Sequence, residues 1–140
     1  MDKYMPVSSI MTTNVISVSP NQTMDKVQDI FRKHNIHHLP VTDNGKVVGI
    51  ISHSDCLRLQ NSFTLFNTES SERYNSAIMH SLLVKEVMIK QVAKLEPTDS
   101  VEVAAGFFRE NLFHALPVVD KDGQLAGLLT TYDLLNYAFS

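Results

Sequence analysis

The chain carries 140 residues, 44% of them hydrophobic, with a formal net charge of −3 at pH 7. That length suffices for one folded core, and the charge argues against a general nucleic-acid or anionic-membrane surface. No apolar run approaches the ~20 residues needed to span a bilayer, the leading MDKYMPVSSIM has no apolar signal core, and the single cysteine, Cys56, fits a reducing cytoplasm.

Val7–Ile10 reads as a short helical turn, and Val15–Val18 as a β-type run closed by Pro20. Thr23 stands at an N-cap position with Asp25 in the first turn. Met24, Val27, Ile30, Phe31 and His34 recur at helical spacing, so residues 24–34 read as an amphipathic helix. Leu39–Val41 is a predicted strand, and Asp43-Asn44-Gly45 a predicted hairpin turn, because Asn-Gly accepts positive φ. Val47–Ile51 is a continuous apolar run, hence a buried strand, and residues 54–60 form a second helix. Residues 60–82 are polar and rich in Ser, Thr and Asn, broken by Phe63, Leu65 and Phe66. They read as a linker whose YNSAIMHSLL end is partly helical. Leu83–Val87 is a helical turn and Val92–Leu95 a strand. Ser100 caps a helix with Val101, Ala104, Ala105, Phe108 and Leu112 on its apolar face. Strands Ala115–Val119 and Gln124–Leu129 flank an Asp122-Gly123 turn, and Thr131–Phe139 closes the chain as a helix.

The order β-α-β-β-α occurs twice, and the residues repeat with it. Met11 matches Met88, Pro20 Pro97, Leu39 Leu116 and Pro40 Pro117, each pair 77 apart. After one extra residue in the second turn, Gly49 matches Gly127 and Asp55 matches Asp133, 78 apart. The chain therefore divides into a first repeat, 7–59, a linker, 60–82, and a second repeat, 83–139. A repeat of roughly 55 residues is marginal alone, so the two are expected to share a core. The expected fold class is α+β: two pseudo-symmetric repeats packed sheet to sheet, with two equivalent clefts.

Both repeats carry Leu-Pro-Val, then Asp, two glycines, and a hydroxyl three residues before an aspartate. This pattern, duplicated in one order over nearly the whole chain, resembles the cystathionine-β-synthase (CBS) domain in tandem. The stand-alone form and the linker are similar to acetoin-utilisation-type members. The resemblance implies a regulatory module that binds an adenosine-containing ligand such as AMP, ADP, ATP or S-adenosylmethionine, with no catalysis.

Ser52 with Asp55, and Thr130 with Asp133, stand where a strand ends and a helix begins. Free N–H groups there favour an anion, and a carboxylate one turn on suits a ribose diol. By the resemblance, the hydroxyl meets phosphate or ribose and the aspartate holds the diol. The same four residues also make an ordinary helix cap, worth ~1 kcal/mol. His37 and His38 occupy the place of a His-Arg pair in nucleotide-sensing γ subunits of AMP-activated kinase; the second repeat has His114 and Ala115 there. Neither repeat offers the bidentate fork of an arginine at that place. His53, with Thr131 as its counterpart, and Arg58 are further anion contacts. For the base, Thr13-Asn14-Val15 and Lys90-Gln91-Val92 supply backbone partners, and Ile36, Pro40, Phe113 and Pro117 apolar walls that serve the core equally well.

His34, His37 and His38 have no cysteine or carboxylate cluster beside them, so no metal site is expected. Cys56 reads as a packing thiol. The expected function is that of a homodimeric sensor that binds ligand in clefts between the repeats and signals to an effector protein in trans. The competing expectation is a ligand-free dimerisation module. The cleft with Ser52, His53 and Asp55 is expected to bind anionic ligands more tightly than the one with Thr130 and Asp133.

Overall fold

Two hairpins organise the chain. The computed structural model describes residues 1–61, 69–111 and 113–140. β1 (His38–Asp43) and β2 (Lys46–Ser52) form one two-stranded sheet, and β3 (Ala115–Val119) and β4 (Leu125–Thr130) another. The first turn places Asn44 and Gly45 at φ 52° and 83°, the positive values that an Asn-Gly hairpin turn requires. In the second hairpin, Ala115 faces Thr130 and Leu116 faces Leu129, in antiparallel register. The fold class is α+β, as the alternating apolar runs imply.

Each repeat's first strand shrinks to one residue. Val18 makes a single parallel bridge to Val41, and Leu95 to Val118. The proline that recurs in both repeats, Pro40 and Pro117, explains this. Leu95 N–H donates to the Pro117 carbonyl at 2.9 Å, and Val119 N–H donates to Leu95 at 2.8 Å. The next bond upstream falls to the nitrogen of Pro117, which carries no hydrogen, and the ladder stops. Pro40 blocks the extension beyond Val18 in the same way: its carbonyl accepts from Val18 N–H at 3.1 Å, and Thr42 N–H returns a bond to Val18 at 2.9 Å.

Contacts gather the chain into two units that cut across the repeats. The β1–β2 unit comprises Ser17–Asp43 and Val48–Lys90; the β3–β4 unit comprises Met1–Ile16, Asn44–Val47 and Gln91–Ser140. The entry segment of each repeat thus docks on the hairpin of the other. Thr12 pairs with Leu128 through two 2.9 Å bonds, and Ile89 with Ile50 through bonds of 3.0 and 3.1 Å. Two glycines permit this approach. A Cβ on Gly127 would stand 2.5 Å from Met11 Sδ and 2.9 Å from the Thr12 carbonyl oxygen; on Gly49 it would meet Met88 and Ile89 at the same distances. Gly127→Val is therefore expected to destabilise by about 1–3 kcal/mol through overpacking. Gly106→Ala, within α5 (Val101–Asn111) and with nothing within 4 Å, should instead stabilise by about 0.5–1 kcal/mol. Denaturant midpoints of the two variants check the pair; equal shifts would contradict the close-approach argument.

In the β3–β4 unit, Val7, Leu95, Ala104, Phe108, Leu116, Val118 and Leu129 form one buried cluster. In the β1–β2 unit, the counterparts Val84, Val18, Val27, Phe31, Leu39, Val41 and Ile51 are buried too, so the core repeats with the sequence. The helices that cover these cores follow their apolar spacing. α1 (Met24–Lys33) buries Met24, Val27 and Phe31. Thr23 holds the N-cap position, but its hydroxyl donates to Asp25 rather than capping a backbone N–H. That bond, and the nearby His80, hold the Asp25 carboxyl below its ordinary value despite some desolvation. Ser100 does cap α5, accepting from Val103 N–H at 3.2 Å.

Within residues 60–82, α3 (Glu69–Ser81) is a helix of 13 residues, begun five residues before the YNSAIMHSLL segment. Its Met79 is buried, and α3 packs on α1. α4 (Val84–Val87) follows. Leu112, Phe63, Leu65 and Phe66 lie outside the described residues. Phe108 belongs to the core and Phe107 packs half-buried against it. No helix among the described residues is long and apolar enough to cross a membrane.

Candidate functional site

The two strand–helix junctions have the same backbone bonds. β2 ends at Ser52 and α2 (His53–Asn61) starts at the next residue; β4 ends at Thr130 and α6 (Thr131–Ala138) likewise. Asp55 N–H donates to Ser52 Oγ at 3.1 Å, while Ser52 N–H donates to Asp55 Oδ2 at 3.0 Å. Asp133 N–H donates to Thr130 Oγ1 at 3.1 Å, and Thr130 N–H donates to Asp133 Oδ2 at 2.9 Å. Each pair is a reciprocal capping box. The capping role anticipated from spacing is thus present at both junctions. It fixes each half-buried carboxylate by one oxygen and leaves the other, Oδ1, as an acceptor.

The histidines before each Leu-Pro-Val strand join the same junctions. His53 N–H donates to the His37 carbonyl at 2.8 Å, and Thr131 N–H donates to the His114 carbonyl at 3.1 Å. In the first repeat, the His53 ring lies 5.2 Å from Phe31 and 6.1 Å from His37, centroid to centroid. His37 and His114 are exposed; His38, at the start of β1, is half-buried. The structure therefore brings together Ser52, His53, Asp55 and His37 in the β1–β2 unit, and Thr130, Thr131, Asp133 and His114 in the β3–β4 unit.

Arg58 points back along α2. Its guanidinium pairs with Asp55 Oδ1, its own side chain 76% exposed and that of Asp55 12%. The arginine read from sequence as an anion contact is engaged by the carboxylate one turn earlier. Aspartate followed by arginine three residues on is the spacing of a helical ion pair, and this was the signal to read. The matching position in α6 is Asn136, which carries no charge.

Pro40 and Pro117 are buried in β1 and β3, where they serve the ladders described above. Val15 and Val92 are half-buried, and both fall in the β3–β4 unit. Val15 therefore groups with Thr130 and Asp133, not with the Ser52 and Asp55 of its own repeat. Cys56 is buried, and burial, with the charge of Asp55 beside it, pushes the thiol up to about 11. It stays protonated at neutral pH and is a poor nucleophile. Among the described residues, no group of three or more His, Cys, Asp or Glu could hold a metal ion.

The model of the CBS domain matches residues 7–62 and again 84–140. A CBS domain-containing protein of Dictyostelium discoideum is 30% identical over 93% of this chain and 88% of its own length. The crystal structure of protein MJ1225 from Methanocaldococcus jannaschii superposes at a TM-score of 0.82 with 28% identity. It covers all of this chain, which spans only 49% of that structure. The CBSX2 protein of Arabidopsis thaliana, solved in complex with AMP, superposes at 0.77 with 28% identity, over 96% of both chains.

Proposed function

The chain belongs to the CBS-domain family, with two CBS segments in tandem, and from that premise we propose that it is a non-enzymatic regulatory module for an adenosine-containing ligand. The observation that carries this reading is the duplicated junction: a hydroxyl and a half-buried aspartate locked by two reciprocal backbone bonds at the head of a helix. A carboxylate so fixed presents Oδ1, open at Asp133 and held only by the exposed Arg58 at Asp55, to the vicinal hydroxyls of a ribose. The similarity to CBSX2, solved with AMP, supports the choice of ligand class. The module acts in the cytoplasm as a sensor of adenylate levels, by population shift. Ligand favours one arrangement of the chain, and an effector protein in trans reads it.

A melting-temperature screen of AMP, ADP, ATP and S-adenosylmethionine tests this. At about 100 times Kd, a bound ligand adds roughly 2.7 kcal/mol of stability. At least one of the four is expected to raise Tm by several degrees. No shift with any of them at millimolar concentration would remove the reading.

A second reading, an interaction module that dimerises without ligand, is favoured by one observation. α5 and α6 flank an apolar groove of about 440 Å³ whose lining includes Ala105, Leu134, Leu135 and Ala138. Leu135 on α6 and Phe139 at its C-cap are 57% and 84% exposed. Self-association through this face gives a homodimer by light scattering; a monomer at high micromolar concentration would refute it.

A further inference from the structure

The two junctions are alike in backbone and unlike in charge. At the first, both carboxylate oxygens of Asp55 are engaged: Oδ2 by Ser52 N–H, Oδ1 by the Arg58 guanidinium. At the second, Asp133 Oδ2 accepts from Thr130 N–H, and no bond to its Oδ1 is present among the described residues. The position one turn on is Asn136, where the first repeat has Arg58. The residue after the hydroxyl differs as well, His53 against Thr131.

We propose that Arg58 makes the Ser52–Asp55 junction selective for phosphorylated adenosine ligands, while the Thr130–Asp133 junction accepts neutral nucleosides and nucleotides alike. This rests on the reading of both junctions as ribose-binding sites. A neutral diol that approaches Asp55 competes with a guanidinium already hydrogen-bonded to Oδ1. The pair is exposed and therefore weak, so it disfavours a neutral diol by only about threefold. A ligand that carries a phosphate changes the balance. The guanidinium then has a second anion to pair with, and its release leaves Oδ1 for the ribose. The cost of the exchange is small, because Arg58 is long and largely exposed, and ion pairs at such positions are weak. Arg58 thus competes with a neutral diol for Asp55 and becomes a contact for the phosphate of a charged ligand. Among the described residues, no side chain pairs with Asp133 Oδ1 in the same way.

Calorimetric titration of the full chain with adenosine and with AMP tests this. In an Asp133→Ala background, binding reports on the first junction. There AMP is expected to bind at least about tenfold more tightly than adenosine, since each charge-assisted contact is worth that much or more. Adding Arg58→Gln should weaken AMP by about tenfold and tighten adenosine about threefold, so that the preference collapses. Arg58→Lys should keep most of it, which separates charge from packing. In an Asp55→Ala background, adenosine and AMP should differ by less than about threefold, because the second junction lacks the arginine. If both ligands bind and Arg58→Gln moves them by the same factor, the charge gate is refuted while the ribose sites stand. If neither ligand binds the unsubstituted chain, the ribose reading itself falls, and the gate with it.

Discussion

Leu116→Ala is expected to destabilise the protein by about 2–5 kcal/mol. Leu116 is fully buried, lies on β3 opposite Leu129, and belongs to the cluster of Leu95, Phe108 and Val118. Truncation loses the transfer energy of the removed methyl groups and leaves a cavity that rigid neighbours on two strands cannot fill. Domains of this size are stable by only about 5–15 kcal/mol, so a large share of the total is at stake. Leu39 is the counterpart on β1 and is also fully buried, so Leu39→Ala should cost a similar amount. Denaturant unfolding with an unchanged m-value measures both. A loss below about 1 kcal/mol for either would contradict the duplicated core.

Removing both carboxylates has the largest expected effect on function. The double variant Asp55→Ala, Asp133→Ala should lose the whole stabilisation by AMP, about 2.7 kcal/mol at 100 times Kd. Each substitution also removes a helix cap worth about 1 kcal/mol, so each variant must be compared with its own unliganded melting curve. Of the single changes, Asp55→Ala should cost more AMP affinity than Asp133→Ala, because the first junction adds His53 and Arg58 where the second has Thr131 and Asn136. A double variant that still gains stability from AMP would place the ligand elsewhere.

Much of this was legible before any coordinates. The repeat offset, 77 residues and then 78 after the second turn, implied the duplicated core, and the buried pairs Val27 with Ala104, Leu39 with Leu116 and Ile51 with Leu129 follow it. Asn44-Gly45 carried its turn in its own backbone preference. The junction motif implied both the cap and the candidate site, since the same four-residue spacing serves either. Three features were not legible for physical reasons. The first strands shorten because Pro40 and Pro117 withhold an N–H from a parallel ladder, a tertiary effect that the apolar run at Val15–Val18 does not reveal. The entry segments join the opposite hairpin because Gly49 and Gly127 leave room for Met88 and Met11, and no local pattern says which hairpin a segment chooses. The start of α3 at Glu69 was hidden by the helix-neutral Ser and Asn around it, where packing of Met79 outweighs weak propensity.

The central claim is that an adenosine ligand binds at the two strand–helix junctions. An NMR titration of the backbone amides with AMP tests it most directly. The N–H groups of Ser52, Asp55, Thr130 and Asp133 are the bonds that hold the two carboxylates in place. Saturable shifts centred on these four amides and on those of His53 and Thr131 are the expected result. Saturable shifts that leave both junctions unmoved, or no shifts at millimolar AMP, would contradict it.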